Sequence, residues 1–248
     1  MRILLNGACG RMGLMFLERA ADKGPDYAVV GKADPCLTPD EAAGNYRSLS
    51  DCGAEADVVV DFSHHSAARE LAALCLDRKL PLVMATTGHT EEEKRILREA
   101  SASVPVFCAP NMSLGVAVLA DLAKRAAAAF PNADIEIVET HHNQKLDVPS
   151  GTALLLAESI REARRGAALL IGRHENGKRS AAEIGIHSIR LGNEVGTHEI
   201  LISTGSETLS LKHQAASRAL FAEGALTAAA FLKGKPAGYY SMKDMLAD

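Results

Sequence analysis

RILLNGACGRMG, residues 2–13, decides how the rest of the chain is read. Arg2 to Asn6 is a continuous apolar run that reads as a buried strand, and helical spacing follows from about Arg11 to Lys23. Between them lie Gly7, Gly10 and Gly13, with Cys9 where the commoner Gly-x-Gly-x-x-Gly pattern has its second glycine. A helix start offers free backbone N–H groups and the positive end of its dipole to a phosphate, and side chains there would block the approach. The same glycines would also serve a tight turn with close helix–strand packing. A strand before and a helix after point to the pyrophosphate of a dinucleotide. Gly7, Ala8, Cys9, Gly10, Arg11 and Met12 are then cofactor-contact candidates.

Outward from this unit the pattern repeats. YAVVGKA, ADVVVDF (56–62), PLVMATT and VPVFCAP read as buried strands, with a helix at about Ser66 to Arg78 and another opened by Thr90. Glu93 stands three residues after Thr90, the capping-box spacing. Apolar strands alternating with helices predict a parallel sheet covered on both faces. After Pro110 the pattern changes. A long helix is expected from about Ser113 to Phe130, then the alternating strand DIEIVETHH, the helix ALLLAESIREARR, and three strands in IGIHSIRLG, HEILIST and ETLSLKH. A sheet of that kind, mixed or antiparallel, belongs to a second domain, and a final helix, SRALFAEGALTAAAFLKG, returns toward the first. The expected fold class is therefore α/β, an N-terminal Rossmann-like dinucleotide-binding domain plus an α+β domain with a mixed sheet.

Asp34 lies 21 residues beyond Gly13, where an acid binds the adenosine ribose and favours NAD. Lys32 stands two residues earlier and would meet the 2′-phosphate of NADP. Both signals are present, so NADH and NADPH stay open. In open parallel sheets ligands bind beyond the carboxyl ends of the strands. DFSHHSA (61–67), ATTG (85–88) and APNMS (109–113) fall there, with Ser63 or Ser66 a possible helix N-cap.

Composition narrows the partners. The chain has 248 residues, 47% hydrophobic and 23% charged, with a net charge of -4, which gives no reason to expect nucleic acid or an anionic membrane. No apolar run reaches the ~18 residues of a membrane span. Trp is absent and aromatics are 4%, a poor base-stacking platform. Five cysteines with no Cys-x-x-Cys pair predict reduced, mostly buried thiols of a cytoplasmic protein, no disulfide framework and no metal site.

A second cluster, ETHHNQKLDVPSGTA (139–153), closes a strand with His141 and His142, adds Lys145, and opens a helix at Ser150-Gly151-Thr152. A histidine carries a proton near neutral pH, while Lys145 and the helix start would hold an anionic substrate. A polar surface loop with a capped helix would look similar.

GACGRMG, DFSHHSA, ATTGHT, APNMSLGV and above all ETHHNQKLDVPSGTA resemble the signature segments of the dihydrodipicolinate reductase family, now named 4-hydroxy-tetrahydrodipicolinate reductases. RLGNEVGTHEI, LSLKHQAASRALFAEGAL and GYYSMKDML agree, in order, over nearly the whole chain. The resemblance implies a dinucleotide-binding domain of residues 1–112 and 222–248 and a substrate-binding and oligomerisation domain of residues 113–221, assembled as a homotetramer. It implies hydride transfer from NADH or NADPH to a cyclic dicarboxylate imine, giving tetrahydrodipicolinate for diaminopimelate and lysine. It assigns His141 as proton donor and Lys145 as its partner base or cation, with His142, Lys145, Gly151 and Thr152 as substrate contacts. Gly7 to Met12, Asp34, Ala85, Thr86, Thr87, Ala109, Pro110, Asn111 and Met112 match cofactor contacts, beside Lys32.

Departures from the family pattern are Cys9 and Ala85 where glycine is frequent, Met112 where Phe is frequent, and His64-His65. Asn143 and Gln144 stand where relatives are often basic. Two rival readings remain. Another two-domain nicotinamide reductase, such as an aspartate or homoserine dehydrogenase, would not require the HHxxK…PSGT segment. A dinucleotide-binding sensor would bind cofactor without turnover.

Overall fold

The computed structural model describes residues 1–247. These form two compact units, residues 1–113 with 218–247, and residues 114–217. The sequence-based boundary at 222 falls inside the helix Ala219–Leu232.

The first unit runs β1 (Arg2–Asn6), α1 (Arg11–Asp22), β2 (Ala28–Ala33), β3 (Asn45–Tyr46), β4 (Val58–Asp61), α2 (Ala68–Arg78), β5 (Leu82–Met84), α3 (Glu91–Ala100) and β6 (Pro105–Cys108). Its seven-stranded sheet has the order β12-β6-β5-β4-β1-β2-β3, and β12 is a C-terminal strand, Gly238–Tyr240. Every named pair in it is parallel. Strands β1, β4 and β5 are buried on both faces, which is why their sequences are unbroken apolar runs. The chain leaves β1 toward β2 on one side and later fills β4 on the other. The glycine turn therefore sits at the reversal of strand order, the ligand position of open α/β sheets. Helix α3 starts as its spacing predicts: Thr90 accepts from the Glu93 N–H and Glu93 accepts from the Thr90 N–H.

The second unit runs α4 (Leu114–Ala129), β7 (Asp134–His141), α5 (Gly151–Ala163), β8 (Ala168–Ile171), β9 (Glu183–Arg190), β10 (Gly196–Ser203) and β11 (Thr208–Ala215). Its sheet order is β11-β10-β7-β9-β8. Strand β7 is parallel to β9 and antiparallel to β10, so the sheet is mixed. Ile135, Ile137, Ile184, Ile186, Ile200 and Ile202 pack with Leu119, Ala123, Leu156 and Ile160 in one apolar core. Each fully buried Ile or Leu there contributes roughly 1.5–3 kcal/mol. Helix α6 (Ala219–Leu232) and the short α7 (Met242–Ala247) belong to the first unit.

Strands β3, β8 and β12 escaped the sequence reading. They span two to four residues and carry little periodicity. The expectation of five reduced thiols is also corrected. Cys9 and Cys36 are paired, with Cα atoms 7.0 Å apart, while Cys52, Cys75 and Cys108 are free. The pair is 27 residues apart in sequence, which hid it. Parallel pairing of Asn6 with Ala33 lays the loops after β1 and β2 side by side.

Candidate active site

The first unit holds the glycine turn between β1 and α1. Gly7 has φ +80°, and a Cβ there would meet the Ser63 nitrogen at 2.6 Å. A Cβ on Gly13 would strike the Gly7 carbonyl, whereas one on Gly10 would meet only that carbonyl, at 3.4 Å. Gly7 and Gly13 are thus required by backbone packing, and Gly10 leaves its outer side open. Helix α1 has no side-chain cap and no acid in its first turn. A helix start so left suits an anion.

Asp34 follows β2 and faces this turn. Its carboxylate accepts from the Cys9 N–H at 3.0 Å and the Cys36 N–H at 3.1 Å. It ties the turn to the end of β2, where an acidic ribose ligand belongs. Lys32 is half-buried within β2. Met12, Phe62, Ser63, His64, His65, Ala85, Thr86 and Thr87 line a depression of about 240 Å³. Four of these were named from sequence; the others come from the strand-end segment DFSHHSA. Neither Ser63 nor Ser66 caps α2, which has no side-chain cap; the His64 ring accepts from the Ser66 N–H to cap the short 3-10 turn His65–Ala67 that leads into it. Asp61, fully buried at the end of β4, accepts from Asn6 Nδ2 at 2.8 Å, Ser63 Oγ at 2.6 Å and Thr86 Oγ1 at 2.8 Å. It locks the loops beyond three adjacent strands, and its role was not read from sequence. Ala109 and Met112 are buried, Pro110 is exposed, and the Met112 carbonyl lies where a Cβ on Gly224 would be. The glycine turn, the adjacent acid and the depression are the parts a nicotinamide dinucleotide needs, and the Cys9–Cys36 pair lies between the first two.

The second unit gathers the ETHH…PSGT residues. Glu139 and His141 sit two positions apart on β7 and share its buried face with Ile135 and Ile137. Glu139 is fully buried, with Oε2 against His141 Nδ1. Arg190, the β9 register partner of His141, donates from Nη1 to Glu139 Oε2 at 3.0 Å and from Nη2 to Oε1 at 3.1 Å. The same Nη2 holds the Asp147 carbonyl at 2.7 Å. The Ser150 N–H donates to Glu139 Oε1 at 3.1 Å, so one carboxylate fixes both the histidine and the start of α5.

Burial would raise the Glu139 carboxyl, but hydrogen bonds from Arg190 and His141 outweigh it and hold it below the usual carboxylate range. An ionised Glu139 is an acceptor only, so the ring proton sits on Nδ1 and Nε2 is the reactive nitrogen. Burial also lowers His141, against the opposing pull of Glu139, and Lys145 and Arg190 lower it further. A Cβ on Gly196 would lie 3.0 Å from His141 Nε2; glycine keeps that nitrogen clear.

His198 on β10 is the register partner of Glu139, and its ring lies edge-on to His141 at 5.1 Å. Its Nε2 meets Ser150 Oγ at 3.1 Å, and that oxygen accepts from the Ala153 N–H to cap α5. Burial lowers His198 to about 4, helped by His141, so it is neutral near pH 7. Lys145 Nζ holds Asp147 Oδ1 at 2.8 Å. That pairing keeps Asp147 below the usual range despite partial burial, and the Gly151 backbone adds to it. His142 and Thr152 are half-buried, and Gly151 is exposed at the first position of α5. The Val148–Pro149 peptide is cis. Sequence reading missed Arg190, His198 and Gly196, although all three fall in or beside RLGNEVGTHEI, and it gave Glu139 no role of its own.

A parallel sheet with a glycine turn at its switch point, and a buried histidine–carboxylate–arginine group beside a cationic helix start, define a nicotinamide-dependent oxidoreductase. Family models agree. "Dihydrodipicolinate reductase, N-terminus" matches residues 1–112 and "Dihydrodipicolinate reductase, C-terminus" matches residues 115–246. The chain belongs to the dihydrodipicolinate reductase family. It is 41% identical over 247 residues to the 4-hydroxy-tetrahydrodipicolinate reductase of Clostridium tetani, covering 99% of this chain and 96% of that one. The enzyme of the same name from Caldanaerobacter subterraneus is also 41% identical, with 99% and 98% covered. Among solved structures, dipicolinate-bound dihydrodipicolinate reductase from Paenisporosarcina sp. TG-14 has a TM-score of 0.78 at 24% identity, with 97% of each chain covered. Aspartate dehydrogenase from Thermotoga maritima has a TM-score of 0.51 at 13% identity, with 95% of this chain and 97% of that one covered. These structural likenesses speak to the fold alone. No described helix is long and apolar enough to cross a membrane.

Proposed function

We propose that this chain reduces 4-hydroxy-tetrahydrodipicolinate to tetrahydrodipicolinate, a step of diaminopimelate and lysine biosynthesis, with His141 as proton donor. The observation that carries the reading is the chain's own Asp147 carboxylate on Lys145 Nζ, at 2.8 Å beside the start of α5. A carboxylate is the chemistry this corner binds. A substrate carboxylate takes the same cation and helix start by displacing Asp147, which is exposed. His142, Gly151 and Thr152 surround that position in the chain. The Paenisporosarcina reductase, described with dipicolinate bound, supports a two-carboxylate ligand.

The 4-hydroxyl group leaves as water to give the conjugated imine, to whose carbon the reduced nicotinamide, when bound, would supply a hydride. The ring then carries negative charge that needs a proton, and His141 Nε2 delivers it. Glu139 holds the imidazole by Nδ1 and stabilises the imidazolium, and Arg190 keeps Glu139 ionised and still. Lys145 anchors a carboxylate and steadies charge in the transition state. Gly7 to Met12 would cradle the pyrophosphate, and Asp34 or Lys32 would meet the adenosine ribose. Ala85 to Thr87 and Ala109 to Met112 would border the remainder of the cofactor. NADH or NADPH both suit this arrangement, Asp34 supporting the first and Lys32 the second. The resemblance to the family further supports a cytoplasmic homotetramer built through the second unit's sheet, which light scattering tests.

The test is a coupled assay. The preceding synthase generates substrate from pyruvate and aspartate semialdehyde, and loss of NADH or NADPH absorbance is followed on adding this protein. Synthase-dependent oxidation is expected. Cofactor binding without oxidation would point instead to a sensor or a different substrate.

A further inference from the structure

We propose that Cys9 and Cys36 form an oxidation site whose disulfide closes the adenosine end of the dinucleotide site. The proposal rests on the reading of that site as a dinucleotide cradle. Cys9 lies inside the glycine turn, one residue before the Gly10 cap of α1. Cys36 follows β2 and is exposed. Their Cα atoms are 7.0 Å apart, and their two N–H groups grip opposite oxygens of the same Asp34 carboxylate, at 3.0 and 3.1 Å. The backbone thus already holds the two side chains together, at the outer edge of the separations a disulfide spans. The remaining cysteines do not compete well: Cys52 and Cys75 are buried, and burial raises both Cys75 and Cys108.

The ribose of a dinucleotide must reach the Asp34 carboxylate across the gap between the glycine turn and the end of β2. A Cys9–Cys36 bridge spans that same gap. Oxidation and cofactor binding therefore exclude one another, and bound cofactor protects the thiols by the same linkage.

The oxidant is a hydroperoxide. The exposed Cys36 thiolate attacks one peroxide oxygen, the O–O bond breaks, and a sulfenic acid and hydroxide form. The Cys9 thiolate then attacks the Cys36 sulfur, the S–S bond forms and a second hydroxide leaves. Two thiols are oxidised, one hydrogen peroxide is reduced, and the two thiol protons end in two waters. A dithiol reductant reverses the result.

The experiment uses the full-length chain with a metal chelator present throughout, which keeps soft metals off the thiolates. Protein is treated with hydrogen peroxide, the bridge is mapped by peptide mass spectrometry, and NADH and NADPH affinities are measured by calorimetry. The oxidised protein is expected to bind at least about tenfold more weakly, with recovery on adding dithiothreitol. Saturating cofactor should slow bridge formation. Cys36→Ser, untreated, should bind like the reduced parent and keep that affinity through peroxide. Unchanged affinity in protein with the mapped bridge overturns the proposal while leaving the dinucleotide reading intact. So does an equal loss in Cys36→Ser, which places the damage elsewhere. No cofactor binding by the reduced parent overturns both.

Discussion

Arg190 meets the Glu139 carboxylate with both terminal nitrogens, at 3.0 and 3.1 Å, in the wall of the site where Glu139 contacts His141. The geometry is the bidentate fork that makes an Arg–carboxylate pair directional. Glu139 therefore acts on chemistry through His141. Glu139→Gln keeps the shape but removes the charge that draws the His141 pKa upward. The expected result is a fall in kcat of ~10²-fold, and a descending limb of kcat/KM moved to lower pH. A pH–rate profile superimposable on the parent's would sink the assignment.

His141 gives its own pH signature. Burial holds its pKa below 6.5 in the free protein. A proton donor must be protonated, so kcat/KM should fall as pH rises through that depressed value. A bound dicarboxylate places negative charge near the ring and raises its pKa in the complex, so kcat should persist to higher pH. His141→Gln should lose ~10²–10⁴-fold in kcat with cofactor affinity retained. Profiles of kcat and kcat/KM that descend together, or a variant with full kcat, would remove the proton role.

The fold was legible wherever one periodicity ran long enough. The strand–turn–helix at residues 2–13, the Thr90 capping box and the alternating β7 strand are local patterns, and their elements follow them. Short β3, β8 and β12 carried no such pattern. The histidine, the lysine and the PSGT helix start were also readable, because one segment holds them. Arg190, Gly196 and His198 were not, because they reach His141 and Glu139 only through sheet register. The Cys9–Cys36 pair was invisible for the same reason, arising from strand pairing rather than spacing.

Cofactor choice turns on Asp34 and Lys32. Asp34 already accepts two backbone N–H groups and has lone pairs left for ribose hydroxyls. Asp34→Ala should weaken NADH more than NADPH and shift the ratio of their kcat/KM values toward NADPH by about tenfold, the worth of one charge-assisted hydrogen bond. Lys32→Ala should raise KM for NADPH alone. Steady-state kinetics with each cofactor decide it; equal changes for both cofactors would show that neither residue discriminates.

Gly196 tests the space around the reactive nitrogen. A methyl group there would stand 3.0 Å from His141 Nε2, closer than ordinary van der Waals contact. Gly196→Ala should therefore lower kcat by about tenfold or more, the result of a small displacement of a catalytic group, while dinucleotide affinity stays as it was. Full activity in a correctly folded Gly196→Ala protein would mean that the ring works from another position.

His198 links the site to stability. Its pKa is lowered to about 4, chiefly by burial, against an unfolded value near 6.5. Between these values the unfolded chain binds more protons than the native one, so stability rises with pH. The native state is then at full strength above pH ~6.5 and weakens as pH falls toward 4, by up to roughly 3 kcal/mol at ~1.4 kcal/mol per unit. Among the described residues the buried Nδ1 has no hydrogen-bond partner that would offset the charge. His198→Asn is less stable at pH 8, because Ser150 Oγ loses its imidazole partner, yet its melting temperature should fall less between pH 8 and pH 5. The comparison is one of slopes, so the variant's lower starting point does not matter. Parallel slopes would show that His198 takes up its proton without resisting it, and that its neutral form is not what holds Ser150 at the head of α5.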